Sequence, residues 1–179
     1  MWGQRAVANL SADEQRFMAF EGLVQWTTAV VRQAERVRET KNCLSSSATL
    51  DPVTRRQAVH DSHCQDHYFI VAAKKTLEYR NWAAELGLFS AINFAELDGF
   101  SIADIKELRD MREPIVAYFR GHGHAPDRWV TSTPEYIADA SSVVGTMMGG
   151  RLDWVAFSAA ANRLLPALLC RADPVSRES

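Results

Sequence analysis

Between residues 17 and 37 the apolar side chains return at steps of three and four. Phe17, Phe20, Val24, Thr27, Val31 and Ala34 form one row, and Leu23, Val30 and Val37 run beside it. Such a row is one face of an α-helix, and a stripe this wide must be buried against other elements. The chain is therefore constrained to pack long helices on one another. Ser11 with Glu14 three residues later reads as a capping box that opens this helix, which is predicted to run to about Lys41.

The breaks that follow divide the rest of the chain. Asn42 to Pro52 holds Ser45-Ser46-Ser47 and Asp51-Pro52, which are loop and turn residues, and Pro52 can open the next helix. A second helical region is predicted from about Val53 to Gly87, in one piece or two, with Gly87 as its C-terminal cap. Phe94 to Gly99 reads as a connector. Ile105, Leu108, Met111, Ile115 and Phe119 then predict a third helix from Ile102 to Arg120, ended by Gly121. Pro114 lies inside it, removes the hydrogen bond to the carbonyl of Asp110 and predicts a kink or a restart. His122 to Pro134 reads as a loop. Tyr136-Ile137-Ala138 and Val143-Val144-Gly145-Thr146 suggest two short strands, with a hairpin around Ala140-Ser141, and Asp153 caps a last helix through Leu169. The predicted fold class is mainly α, a four-helix bundle with a small β-hairpin before the last helix. It is one domain, with residues 1–10 as an N-terminal arm, 11–171 as the bundle and 172–179 as a frayed tail.

Composition narrows the function classes. A chain of 179 residues with 47% hydrophobic and 23% charged residues has the balance of a globular domain. A net charge of -2 argues against a broad nucleic-acid footprint but leaves room for a local basic pocket. No apolar leader and no membrane-length apolar run are seen, and Cys43, Cys64 and Cys170 make no paired framework. The expectation is a cytoplasmic protein with reduced thiols. No Walker loop, dinucleotide fingerprint, zincin helix or nucleophile elbow is present, so no cofactor and no nucleotide are expected.

The most informative stretch is Arg109-Asp110-Met111-Arg112-Glu113-Pro114. Two arginines three apart are neighbours on a helix, and planar guanidinium forks suit phosphate. The competing reading is plain surface pairing, since Lys106–Asp110 and Arg109–Glu113 are each i,i+4. A second stretch, Arg55 and Arg56 with His60 and His63, has arginine-to-histidine spacings that recur by chance in so arginine-rich a chain. The third is His60, His63, Cys64 and His67, whose offsets share one helical face; i,i+4 pairs of this kind can chelate a metal, with Asp61 and Asp66 as neighbours.

Taken in order, Asp66-His67-Tyr68-Phe69, then Leu108 to Glu113, then Tyr118-Phe119-Arg120-Gly121, then Gly149-Gly150-Arg151-Leu152-Asp153 before a final helix, the chain resembles the HEPN superfamily. These are small, often dimeric helical bundles. Many are metal-independent endoribonucleases of toxin–antitoxin and antiviral systems, and others are RNA-binding or partner modules. The resemblance implies a homodimer with an RNA or cognate protein partner, and it places binding on Arg109, Asp110, Arg112 and Glu113. The superfamily signature is an arginine, a polar residue and a histidine after four to six intervening positions. Arg109 and Asp110 fit, but the histidine position holds Pro114, and Ile115 and Val116 follow. Proline cannot move a proton, and losing an acid–base group costs about 10²- to 10⁴-fold in rate. The resemblance therefore implies binding rather than cleavage. Two alternatives stay open: a ribonuclease in which His67 or Tyr118 approaches Arg109 as a relocated proton carrier, and a metal-binding bundle that uses His60, His63, Cys64 and His67.

Overall fold

The computed structural model of the protein describes residues 10–46, 51–88 and 94–170. The expected N-terminal arm up to residue 9, Ser47 and the expected tail at 172–179 lie outside the described residues. Two long helices, α1 (Ala12–Ser45) and α2 (Pro52–Glu85), run antiparallel: Gly22 of α1 faces Tyr79 of α2, and Gln33 hydrogen-bonds to Gln65. At Gly22 the Tyr79 ring lies so close that a Cβ would collide with it, so only glycine lets the helices approach there.

The capping box forms, with Ser11 Oγ accepting from Glu14 N at 3.3 Å and Glu14 Oε2 accepting from Ser11 N at 2.7 Å. Helix α1 continues past Lys41 to Ser45. Ser45 Oγ donates back to the Lys41 carbonyl and Ser46 Oγ to that of Asn42, so these serines extend the last turn instead of breaking it. Asp51 caps α2 through Val53 N and Thr54 N, with Pro52 in the first turn. Helix α2 is one piece. Ala58, Ser62, Asp66, Phe69, Ile70, Ala73 and Leu77 keep a buried row through its middle, which holds the polar stretch at 60–68 in register.

The expected third helix is divided at Pro114. Helix α3 spans Ile102–Arg112, and the short α4 spans Ile115–Phe119. Proline cannot donate to the Asp110 carbonyl, so the helical ladder stops and restarts one turn later. A 3-10 turn at Ala95–Leu97 precedes α3, and a second at Pro126–Arg128 follows α4. The last helix, α5 (Trp154–Leu169), is capped by Asp153, whose Oδ1 accepts from Val155 N and Ala156 N.

Five short strands lie between α4 and α5, which corrects the expected hairpin. Strand β1 (Val130–Ser132) pairs antiparallel with β2 (Ile137–Asp139), and β3 (Val143–Val144), β4 (Met147–Met148) and β5 (Leu152–Asp153) form a second small antiparallel sheet. The turns fall at 133–136, where Thr133 N donates to the Tyr136 carbonyl, and at Gly145, which has a φ of 59°. Ala140-Ser141 is the join between the sheets rather than a hairpin tip. Asp139 Oδ1 accepts from Ser141 N at 2.7 Å and redirects the chain there.

The core lies where α1, α2, α3 and α5 meet. Phe69 packs edge-on to Trp154 and to Phe157, with centroids 6.2 and 6.3 Å apart, and Leu23, Val30, Leu77, Ile105 and Leu108 close around them. Met148 and Leu152 bring the small sheet onto the same core. The protein is thus mainly helical, with small antiparallel strands near its C-terminus. Among the described residues no helix is long and apolar enough to cross a membrane.

Candidate functional site

The two arginines of the informative stretch have opposite surroundings. Arg112 is 8% exposed. Its Nε donates to the Ala140 carbonyl at 2.6 Å, and Nη2 donates to the carbonyls of Ser141 and Ser142 at 3.2 and 3.4 Å. The side chain thus crosses from α3 and holds the join between the two small sheets. Burial pulls its pKa below the ordinary arginine value, and the carboxylates of Asp66 and Asp139 oppose that shift. Arg109 instead folds back on its own helix. Its Nε donates to Asp110 at 2.7 Å and lies 3.7 Å from Glu113. The Asp110 hydrogen bond holds the Arg109 pKa above its ordinary value, with Asp110, Glu113 and Glu78 adding to the effect.

Arg112 also lines a cleft of about 100 Å³ together with His63 and His67 of α2, Ile115 of α4 and Ser141 of the join. The break at Pro114 matters here, because it lets Ile115 restart beside the cleft instead of continuing the α3 axis. His67 is half-buried, and its pKa is lowered first by burial and then by Arg112, with a smaller contribution from Arg109; Glu113 opposes. His67, expected to approach Arg109, lines the cleft with Arg112 instead. Of the binding residues expected on α3, only Arg112 lines this cleft; Asp110 and Glu113 serve as partners of Arg109.

Beneath this wall sits Asp66, 2% exposed. Lys41 Nζ of α1 lies 3.3 Å from its Oδ1, an ion pair without hydrogen-bond geometry, so that oxygen is buried with no hydrogen bond among the described residues. Burial pushes the Asp66 carboxyl above the usual carboxylate range, while Lys41, Arg112 and His63 pull it down. The sequence placed Asp66 as a neighbour of a possible metal and as the start of the Asp66-His67-Tyr68-Phe69 run. The signal for a deeper role was a carboxylate on the row Ser62–Asp66–Phe69–Ile70–Ala73, where the other members are apolar or small. Lys41, Ile115 and Ser141 carried no comparable signal, because their approach depends on how the helices and the join pack.

The other expectations fare differently. Tyr118 does not join the arginines. Its hydroxyl donates to the His124 carbonyl and its ring stacks on Trp129, with centroids 4.7 Å apart, so it pins the loop after α4. Of the four residues proposed for a metal, His63 and His67 line the cleft and His60 and Cys64 do not; His60, His63 and Cys64 are exposed, and His67 is half-buried. Among the described residues no group of three or more histidine, cysteine, aspartate or glutamate side chains is arranged to hold a metal ion. Arg55 and Arg56 are exposed at the start of α2. Compared with protein-family models, curated proteins and solved structures, the chain matches none.

Proposed function

We propose that this chain is a HEPN-like RNA-binding or partner domain, built on a four-helix bundle whose third helix is broken at Pro114, and that it does not cleave RNA. The observation that carries this reading is the cleft where Arg112 meets His63 and His67, next to a histidine position occupied by proline. Counting α3 and α4 as one interrupted helix gives the four helices the reading requires. A compact cationic site on a chain of net charge -2 suits local contact with a phosphate rather than broad coating of nucleic acid. A homodimer, a cytoplasmic location and a role in a toxin–antitoxin or phage-defence system belong to the same proposal and rest on the resemblance.

A second reading has one observation in its favour. His67 shares the cleft with Arg112, and its lowered pKa favours the neutral imidazole that a general base requires. It is a ribonuclease with a relocated histidine.

The test is an RNA binding and cleavage assay on the wild type, Arg109→Ala, His67→Ala and Pro114→His. The binding reading expects saturable RNA binding, no cleavage by the wild type, and cleavage appearing in Pro114→His, which restores the histidine at the signature spacing. Wild-type cleavage abolished by His67→Ala would install the second reading. A protein that neither binds nor cleaves RNA, and that migrates as a monomer, removes both.

A further inference from the structure

At the join the carbonyls of Ala140, Ser141 and Ser142 accept from Arg112, and Asp139 Oδ1 accepts from the Ser141 amide and hydroxyl. Arg112 thereby uses Nε and Nη2, and its Nη1 has no hydrogen-bond partner among the described residues. His63 and His67, one helical turn apart on α2, present two imidazoles to the same space. A cleft lined by one arginine and two imidazoles offers N–H donors, which suit an acceptor-rich guest. Its volume of about 100 Å³ is on the scale of one tetrahedral oxyanion. Ile115 forms an apolar wall, which strengthens charge-assisted hydrogen bonds by excluding water.

We infer that this cleft is a seat for a single phosphoryl group, held by Arg112 Nη1, His63 and His67. It deepens the RNA-binding reading where the phosphoryl group is the end of an RNA strand; free phosphate offers the same chemistry. The seat is fixed before the guest arrives, because three backbone carbonyls hold the guanidinium plane. An anion would also relieve the pressure of Arg112 and Arg109 on His67, and so raise the His67 pKa. The other charged groups facing that imidazole's neighbourhood are Glu113 just after α3, Asp66 on α2, Lys41 on α1 and Asp139 at the end of β2.

The test uses the full chain and the imidazole NMR signals of its five histidines, titrated with inorganic phosphate at constant ionic strength. The expected result is saturable shifts of His63 and His67 with His60, His122 and His124 unmoved, and a rise in the His67 titration midpoint. His67→Asn should weaken binding roughly tenfold or more, the scale of one charge-assisted hydrogen bond. Shifts shared by all five histidines, or no saturation, overturn the seat without any variant needing to fold. A second arm compares one oligoribonucleotide carrying a 5′-phosphate or a 5′-hydroxyl, in competition with phosphate. Displacement of phosphate by the phosphorylated strand supports both the seat and the RNA reading. Phosphate binding that neither strand displaces supports the seat and removes the RNA reading. RNA binding with which phosphate does not compete removes the seat and leaves the RNA reading standing.

Discussion

The α1–α2 hairpin and the segment from Glu113 to Asp153 are held together by different means. The hairpin spreads its stability over many apolar contacts along two 34-residue helices. The later segment is made of strands of two or three residues, and strands this short have little stability of their own. It leans on a few side chains: Arg112 and Glu107 reach in from α3, the first to the join and the second receiving Arg128 at 2.5 Å and lying 3.7 Å from Arg151, and its own Tyr118 donates to the His124 carbonyl. A region stabilised by many weak contacts loses a little with each change. One stabilised by a single buried cation loses its local structure with that cation. The candidate cleft lies on the boundary between the two regions, with its histidines on the hairpin and its arginine committed to the join.

The contrast can be broken at either side, and the largest loss is expected in the core. Phe69→Ala removes a fully buried ring from between Trp154 and Phe157, and should cost about 3–5 kcal/mol of unfolding free energy in chemical denaturation. The loss should be global, with hydrogen exchange rising in α1, α2 and α5 together. Arg112→Met should cost about 1.5–3 kcal/mol, since it removes the donor to the Ala140 and Ser141 carbonyls and leaves Asp66 with less positive charge around it. Its exchange signature should be local, concentrated in residues 138–148. Equal acceleration in the hairpin would mean that the two regions are not stabilised separately.

A smaller effect concerns pH. The folded-state pKa of His67 is depressed, so the folded protein takes up fewer protons than the unfolded chain between that lowered value and the ordinary value near 6.5. Stability should therefore fall through this window as pH drops. Asp66 acts oppositely, because its pKa is raised: its contribution falls as pH rises from the ordinary carboxylate value towards the raised one. Denaturation of wild type and His67→Asn at several pH values separates the two, and the wild type should lose stability relative to the variant between pH 7 and pH 5. Parallel curves would show that the imidazole is not buried. The smallest effect is expected for Arg109→Ala. Its partners are on its own helix and partly exposed, so the change in stability should stay under about 1 kcal/mol. A larger loss would show that the charge of Glu78 on α2 outweighs these local pairs.

These two arginines also show how far the site could be read in advance. The stretch Arg109 to Pro114 was recognisable because charge interrupts an apolar periodicity. Surface pairing and phosphate binding were both open there, and the structure divides them. Arg109 takes the pairing, and Arg112 turns inward. Nothing in the spacing distinguishes them, since the choice depends on which side of α3 faces the join at 140–142. His67 carried a visible hint in the row of histidines on α2. Its real neighbour is Arg112, not a metal, and that neighbour comes from another helix.

The local sequence was enough to set the long helices, their caps at Ser11, Asp51 and Asp153, the break at Pro114 and the turn glycines at positions 87 and 121, all of which obey rules spanning four residues or fewer. The extension of α1 to Ser45 and the unbroken α2 also follow from near neighbours, once packing favours the helix over the loop. The pairing of the five short strands, the inward turn of Arg112 and the burial of Asp66 were decided only by tertiary structure. The strand partners are close in sequence but depend on the core that Met148 and Leu152 join, and the other two features depend on groups more than twenty residues apart meeting in one place, as Arg112 meets Ala140 and Lys41 meets Asp66. No short-range pattern encodes such a meeting, because the free energy that selects it comes from burying the whole core at once.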